Sequence, residues 1–439
     1  MRDCYRRRWW YQLTHVCRRW QNLILGLSSY LGLSLVCTYG TPVADMLAHS
    51  PPLPLVINFF DDDRIITAKD EEAMILALKQ RDRVCRIRIQ VPDMQEFAMA
   101  MEEKYPILEC LIMGLTEEDE NSIPLTFPTT FQAPRLHHLV LISFSLPIES
   151  RLLTTAVGLV TFSLYMIQPS SYFQPNVLVY WISFMPQLEM LIIDFLFPVS
   201  IRDMEQQVTR PPATTPLTPV TIPNLRLFRL QGDGAYVEEV VRRINTPCLQ
   251  LLEIELLNEL TFPLPCLLHF IDTTKSLRFN SAELILSEDK VQVEMSLPDA
   301  DADACAIRIH VTCCHFDRQV SSVAQIFNMP GKVSTLVENL TLISRWPFQE
   351  HNDVDRTEWR KILRSFSNVE TLYFGDGLVG DLSRCLRLEG GEDPLELLPG
   401  LQQLVFPMRG YTTRESARDA FASFIDARQN AGCPVAIYN

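Results

Sequence analysis

The chain has 439 residues, of which 47% are hydrophobic and 21% charged, with 29 prolines and 16 glycines. This composition can bury a large core and excludes collagen-like, low-complexity and disordered chains. The formal net charge is −14, although residues 1–20 hold six arginines and one aspartate. The rest of the chain is therefore acidic and lacks the clustered lysine and arginine that nucleic-acid binding requires, so we expect no nucleic-acid partner.

The first predicted element is a helix within residues 9–25, WWYQLTHVCRRWQNLIL. Five of its residues recur at spacings of 3, 4, 3 and 4, which places them on one stripe of a helix, with Val16 and Leu23 beside them. An apolar stripe of this kind docks onto another apolar surface, either the rest of the chain or a partner. The five residues are Trp10, Leu13, Cys17, Trp20 and Ile24.

The segment Leu13-x-x-Val16-Cys17-Arg18-Arg19-Trp20-x-x-Leu23-Ile24 resembles the closing helix of the F-box. The strand, helix and strand predicted at residues 33–35, 41–50 and 52–55 are similar to fungal F-box-like proteins with irregular leucine-rich repeats. The resemblance covers the N-terminal fifth of the chain. It implies that the protein binds Skp1, joins a cullin-RING ubiquitin ligase and presents a protein substrate with its repeats.

The resemblance also implies that Trp10, Val16 and Trp20 are partner-binding residues. The earlier F-box helices supply much of the Skp1 contact in the family, and we expect them to be missing because the chain starts inside the motif. One alternative for the N-terminal helix is a cap on the open core of the first repeat. Another alternative for the whole protein is a repeat scaffold without ligase attachment.

Beyond this helix, short apolar strands alternate with amphipathic helices, and successive strand centres lie about 24–36 residues apart, as in stacked repeats. Helices are predicted at residues 71–80, 236–244 and 414–428. Strands are predicted at residues 55–59, 84–90, 107–113, 136–142, 159–167, 188–195, 225–231, 249–257, 282–286, 306–313, 338–343, 369–374, 401–406 and 435–438.

A phrase of the form (Pro or polar)-x-Leu-x-x-Leu opens several of these strands. Proline stops the preceding helix, and the leucines then point to one side of a strand. One such unit cannot bury its own apolar face, so neighbouring units must stack. The predicted fold is an α/β, irregular leucine-rich-repeat-like solenoid over residues 31–439, with a helical F-box remnant at residues 1–30. The alternative is an ordinary pair of α/β domains.

Three segments interrupt the predicted array. Residues 117–128 are an acidic and then proline-containing insertion. Residues 208–221 hold four prolines and five threonines, which indicates a surface loop. Residues 287–304 carry short strand patterns separated by acidic residues, which predicts an insertion, such as a hairpin between repeats.

Residues 375–380 (GDGLVG) match the G-x-G-x-x-G pattern after a predicted strand. Too few strands follow for a dinucleotide-binding half, so we expect a glycine-rich loop between repeats. Cys305, His310, Cys313, Cys314 and His315 are zinc-ligand types. However, a strand over residues 305–313 places Cys305 and Cys313 on the core face and separates His310 from Cys314 by roughly 13 Å.

The acidic runs at residues 61–63 and 117–120 are expected to be solvated loops rather than cation sites. The Walker A, H-E-x-x-H and G-x-S-x-G motifs are absent. We therefore expect no enzyme activity, no catalytic residue, no cofactor and no metal. Cysteines within apolar runs are typical of a reduced compartment, so the expected location is intracellular, cytoplasmic or nuclear, with no membrane partner.

Overall fold

The computed structural model describes residues 16–27, 30–60, 64, 66–91, 99–115, 125–198, 218–297, 305–327, 332–346, 356–388, 392–406 and 414–438. Two compact units divide the chain. The first runs to Phe173 and resumes over Tyr180–Leu196, and the second takes in Gln174–Val179 and the described residues from 218 onward. The boundary predicted at residue 30 stays a prediction.

The first unit alternates short strands with helices, as the sequence predicts. Its described elements are α1 (Arg18–Gly26), β1 (Leu35–Cys37), α2 (Val43–His49), β2 (Leu55–Phe59), α3 (Ala68–Leu78), β3 (Val84–Val91), β4 (Cys110–Leu115), β5 (Leu125–Thr126), β6 (His138–Ile142), β7 (Phe144–Ser145), α4 (Arg151–Thr155), β8 (Thr161–Ile167) and β9 (Met190–Phe195). The order in the sheet is β1-β2-β3-β4-β6-β8-β9, and neighbouring strands are parallel. The helix α5 (Pro175–Ile182) contains residues of both units.

The second unit is also mixed α/β. Its described elements are β10 (Val220–Thr221), β11 (Leu227–Gly232), α6 (Gly234–Val241), β12 (Ile244–Asn245), β13 (Leu251–Leu256), α7 (Pro265–Thr273), β14 (Ser281–Leu286), β15 (Lys290–Ser296), β16 (Cys305–Thr312), α8 (Phe316–Phe327), α9 (Lys332–Thr335), β17 (Asn339–Ser344), α10 (Arg356–Ser365), β18 (Thr371–Phe374), α11 (Val379–Leu386), β19 (Gln403–Val405), α12 (Arg414–Asn430) and β20 (Ala436–Tyr438). The predicted helices and strands outside the N-terminal segment all have counterparts here or in the first unit.

One face of each sheet forms the core. On β3, Ile87 and Ile89 have no solvent exposure, whereas Arg86 and Arg88 lie on the opposite face because successive side chains of a strand alternate. Helix residues such as Met74 on α3 are buried with them. Full burial of an aliphatic side chain contributes about 1.5–3 kcal/mol, so the core face holds each unit together while the other face can vary.

The repeated Pro-x-Leu phrase forms a β-turn, and the strand begins after it. The amide of Leu136 donates to the carbonyl of Ala133 at 3.0 Å, and that of Leu188 donates to Met185 at 3.2 Å. Proline suits the second position of such a turn. The predicted strands therefore begin two residues early at these places. The same turn bond is made by Leu225, Leu249 and Leu401.

After most of these turns, two consecutive amides share one carbonyl at the start of the neighbouring strand. The amides of His137 and His138 both donate to the Glu109 carbonyl, at 2.9 and 3.1 Å. This bifurcated contact aligns each strand with its neighbour, so a recurrent phrase in the sequence becomes a shared register. The same contact joins residues 160–161 to 137, 370–371 to 338 and 402–403 to 370.

The sheet of the second unit departs from the strand order of a simple array. Its order is β11-β13-β16-β15-β14-β17-β18-β19-β20. Strand β15 is antiparallel to both β14 and β16, whereas β13–β16 and β14–β17 are parallel. The insertion predicted in residues 287–304 therefore includes a hairpin strand. It lies inside the sheet, because backbone groups on both sides of β15 find partners there.

A buried glutamine fastens the turn of this hairpin. Gln319 on α8 has no solvent exposure, and its Nε2 donates to the carbonyls of Ser287 at 2.5 Å and Cys313 at 2.7 Å. Its Oε1 accepts from the indole Nε1 of Trp346 at 3.2 Å. One side chain thus satisfies the buried carbonyl of Cys313, the partly buried carbonyl of Ser287 and one indole, which is the condition for keeping a polar group inside a core.

The described cysteines are free thiols. Cys305, Cys313 and Cys385 are buried as the apolar runs predict, whereas Cys85, Cys110 and Cys266 are half-buried and Cys248 is exposed. No helix of the described residues combines the length and the apolarity that crossing a lipid bilayer requires.

Candidate partner-binding surfaces

The N-terminal helix exposes most of its apolar residues. In α1, which begins at Arg18, only Ile24 is buried, at 4% exposure, while Trp20 is 50% and Leu23 56% exposed. Val16, just before the helix, is 63% exposed. The predicted stripe is therefore divided, with Ile24 on the core and its neighbours in solvent. Trp10, the third predicted partner-binding residue, lies outside the described residues.

Trp20, Leu23 and Leu27 are exposed at spacings of 3 and 4 on α1 and its C-terminal cap, so they lie beside one another. Val16 is exposed in the turn before the helix, and we call these four residues the α1 face. An exposed tryptophan surrounded by aliphatic side chains has the composition of a protein-binding hot spot. The sequence predicts this surface, but it does not show which residue of the stripe faces inward.

A second surface lies on the first unit's sheet, on the side away from the core. Register places Arg86 beside Cys110 and His138 in one row, and Arg88 beside Ile112 and Val140 in the next. Arg88 is exposed and the other five are half-buried or exposed. We call the outward-facing residues of β3, β4, β6 and β8 the arginine face.

The two arginines influence the titratable groups beside them. Burial raises the pKa of the Cys110 thiol, and the charges of Arg86 and Arg88 oppose that rise. Burial also lowers the pKa of His138, and His137 and Arg86 lower it further. Both groups are therefore neutral near pH 7, and the arginines supply the charge of this face.

The second unit's sheet carries a charge ladder on its outward face. The register pairs Arg229 with Glu253, Glu253 with Arg308, and Arg308 with Glu294, so the charge alternates from strand to strand. Alternation ends at Glu283, which lies directly opposite Glu294. Opposite charges on neighbouring strands stabilise a sheet and like charges destabilise it, so this face largely neutralises itself.

The glycine-rich loop, residues 375–380, connects β18 to α11 through a short 3-10 turn at Asp376–Leu378. None of its glycines has a positive φ angle, and a Cβ on Gly375 or Gly380 would meet nothing within 4 Å. The first turn of α11 also holds the buried Asp381, paired with Arg384. A carboxylate at this helix start disfavours a phosphate.

The Cys–His group does not converge. Cys305, Ile307, Ile309, Val311 and Cys313 lie on the buried face of β16 and the residue after it, as predicted. Cys314 and His315 are exposed in the following turn, and His310 lies on the outward face. Among the described residues, no three histidine, cysteine or acidic side chains come close enough to hold a metal ion. The acidic runs at 61–63 and 117–120 lie outside those residues.

An open cleft of about 350 Å³ lies between α2 and α3. Its buried carboxylate, Asp70, accepts hydrogen bonds from the Thr67 hydroxyl at 2.6 Å and the Gly40 amide at 2.9 Å. Burial raises the pKa of Asp70, but these hydrogen bonds outweigh burial and leave the pKa below its ordinary value. Asp70 thus caps α3 and holds the adjoining loop at Gly40. These hydrogen bonds give the carboxylate a structural role.

No protein-family model matches this chain, and no curated protein is similar to it. Among solved structures, the chain is similar to "Crystal structure of TLR13-ssRNA13 complex", with a TM-score of 0.30 and 12% sequence identity. The similarity covers 84% of this chain and 46% of that one, so the chain spans less than half of that protein's length. A TM-score this low defines neither a shared fold nor a shared ligand.

Sequence reasoning missed the arginine face. The signal was present as Arg86-Ile87-Arg88-Ile89, in which charged and apolar residues alternate. Alternation predicts one charged face of a strand, but only the register with β4 and β6 shows which residues surround the charges.

Proposed function

We propose that this protein is a protein–protein interaction module that acts as the substrate-recognition adaptor of a Skp1–cullin–F-box ubiquitin ligase. In this proposal the N-terminal helix region binds a Skp1-like protein and the repeats bind a protein substrate. The observation that carries it is the α1 face, where Val16 and Trp20 stand in solvent. The resemblance of residues 13–24 to the closing F-box helix supplies the identity of the partner.

We further propose that the body is an irregular leucine-rich-repeat-like solenoid without catalytic chemistry of its own. Three features support this proposal: mostly parallel neighbouring strands, the β-turn that recurs before several strands, and the shared carbonyl that aligns several successive strands. A repeat array presents a broad sheet face, which is suited to binding an extended partner. The reversed strand β15 is an irregularity that the proposal must accommodate.

The second candidate function is a repeat scaffold without ligase attachment. The burial of Ile24 favours it, because a helix that seats an aliphatic side chain on the core acts as a cap. The two candidates differ in what the exposed part of α1 does. In the adaptor it contacts Skp1, and in the scaffold it has no such partner.

A Skp1 pull-down distinguishes the two candidates. We would first compare the 439-residue chain with a form extended through any in-frame upstream coding sequence. The double variant Val16→Ala, Trp20→Ala would then be made in the form that binds Skp1. Leu336→Ala is the matched control, because Leu336 is 51% exposed and lies in the second unit.

Loss of a hot-spot tryptophan costs about 2 kcal/mol or more, so we expect roughly thirtyfold weaker Skp1 binding by the double variant and unchanged binding by the control. If neither form binds Skp1, the adaptor proposal is wrong and the scaffold stands. If binding survives the double variant, the α1 face is not the contact surface.

A further inference from the structure

Two guanidinium groups on the arginine face have no acidic partner in the part of the chain that the structure describes. Arg86 and Arg88 form neither ion pairs nor hydrogen bonds there, and Arg88 only lies over the ring of Phe60 at 5.5 Å. Their Cα atoms are two residues apart on one strand, roughly 6.6 Å. Elsewhere in the protein, arginines on sheet faces are matched, as Arg229 is with Glu255 at 3.7 Å.

The carboxylates near these arginines are few. On the outward side of the described strands of this sheet, the acidic residue is Asp194 on β9, four strands from β3 and therefore roughly 19 Å away. Glu109 precedes β4, is exposed, and influences Cys110 and His138. Among the residues that the structure describes, the arginine side of this face therefore carries more positive than negative charge.

Beside the arginines the face becomes apolar. Ile112 on β4, Val140 on β6 and Ser163 on β8 follow Arg88 in one register row. Ile142 lies next to Val140 on the same side of β6, two residues further along. These aliphatic side chains are half-buried, so they offer a shallow hydrophobic strip immediately next to two cations.

A peptide fits this combination better than a nucleic acid does. Nucleic-acid binding draws its affinity from many phosphate contacts to a cluster of cations. This face has two arginines, aliphatic neighbours and a single half-buried aromatic side chain among its described strand residues, Tyr165 beside Ile142, so it offers no row of stacking platforms. A guanidinium pair beside aliphatic residues instead matches a protein segment that carries both carboxylates and apolar side chains.

We propose that the arginine face binds an extended, acidic and apolar segment of a protein partner, with its carboxylates on Arg86 and Arg88. The distance between β3 and β6 determines the spacing of acidic and aliphatic residues in the bound segment. Two strand spacings of roughly 4.8 Å separate β3 from β6, which equals about three residues of extended peptide. Side chains of an extended peptide alternate sides, so the segment carries Asp or Glu and, two or four positions away on the same side, a Leu, Ile or Val that contacts Val140 and Ile142. This inference deepens the proposed function, since it names the substrate class that the repeats take.

A display selection tests the proposal directly, because random peptides stand in for a partner whose identity is open. A library of random nine-residue peptides is selected against the full chain, against the variant Arg86→Ala, Arg88→Ala, and against Lys79→Ala, Arg135→Ala. The last variant removes the same charge from exposed residues outside this face. Thermal melting of each protein establishes that the variants are folded, and a twelve-residue uridine oligonucleotide serves as a competitor.

We expect peptides enriched in Asp or Glu, with an aliphatic residue two or four positions away. Their affinity should fall at least about tenfold for the Arg86, Arg88 variant, remain unchanged for the control, and weaken with added salt. Absence of acidic enrichment, absence of any selected peptide, or equal binding by the arginine variant would overturn the proposal. So would an oligonucleotide that binds with the same arginine dependence and displaces the peptides.

The Skp1 pull-down on the same protein samples separates this inference from the adaptor proposal. Selected acidic peptides without Skp1 binding leave the arginine face in place on a scaffold. Skp1 binding without acidic peptides keeps the adaptor and removes the inference.

Discussion

Trp20 and Ile24 are one helical turn apart on α1, yet Ile24 is 4% exposed and Trp20 is 50% exposed. Residues four apart on a helix are neighbours, so the edge between protein and solvent passes between these two side chains. The helix is therefore attached along one narrow line. This attachment leaves its largest apolar side chain available to a partner.

This division predicts opposite behaviour of two alanine variants. Ile24→Ala removes a buried aliphatic side chain, so we expect a loss of about 2 kcal/mol or more in the free energy of unfolding of the segment it anchors. Trp20→Ala should change stability by about 0.5 kcal/mol or less, because Trp20 is mostly in solvent. Hydrogen exchange of the α1 amides measures both. Equal protection of α1 in the two variants would contradict the division.

Gln319 should be intolerant of apolar replacement. In Gln319→Leu, the carbonyls of Ser287 and Cys313 lose their donor, which costs about 1–3 kcal/mol for the buried Cys313 carbonyl and less for the partly buried Ser287 carbonyl. The control is Gln292→Leu, on the outward face of β15. We expect a lower melting temperature for the first variant alone. Similar melting of both variants would mean that the buried bonds contribute little.

Glu283 should make stability depend on pH. Burial raises its pKa above the ordinary value of 4.5, Glu294 raises it further, and Arg345 opposes the rise. A carboxyl with a raised pKa in the folded state favours folding when protonated, so its destabilising effect is present above that pKa and disappears as the pH falls.

Accordingly, Glu283→Gln should raise the melting temperature at pH 7 and lose this advantage near pH 4. Glu253→Gln is the matched control, because Glu253 lies between Arg229 and Arg308 and should give no gain at pH 7. A gain from Glu283→Gln that is the same at both pH values would show that the charge of Glu283 is not its cause.

Thiol alkylation should follow burial. Burial raises the pKa of Cys385 to about 12, although nearby arginines oppose the rise, and Cys37 has no solvent exposure. We expect iodoacetamide at pH 8 to modify the exposed Cys248 and Cys314 within minutes and to leave the two buried thiols intact, as mass spectrometry of tryptic peptides would show. Rapid labelling of Cys385 in the folded protein would contradict its placement in the core.

The alternation of strands and helices can be predicted from the sequence, because the spacing of buried residues within each element is a local pattern. The alternation around Ile87 and Ile89 predicts β3 to within one residue, and the spacing of Met74 and Leu78 predicts α3. The residue at which each strand begins is harder to predict from the sequence. Leu136, for example, is buried in the core and its amide also closes a β-turn. Its hydrophobicity predicts the burial but not the turn.

Long-range order was beyond sequence reasoning. Residues 290–296 alternate in polarity and predict a strand, but nothing local shows that β15 pairs with both β14 and β16. The same holds for the surfaces. The sequence shows that Val16 and Trp20 are apolar, but it does not show that they are exposed. They are exposed because Ile24 is the residue of this segment that packs into the core.

The antiparallel strand β15 also constrains how the chain folds during synthesis. Most strands follow their sheet neighbour in the chain, so each can add to structure that already exists. Strand β14 cannot, because β16 and β15 separate it from β13 in the sheet and both leave the ribosome later. Sequential growth of the second unit must therefore pause until residues 305–312 emerge. During that interval β13 and β14 expose unpaired edges, and nascent chains are most open to chaperones and to mispairing at this stage.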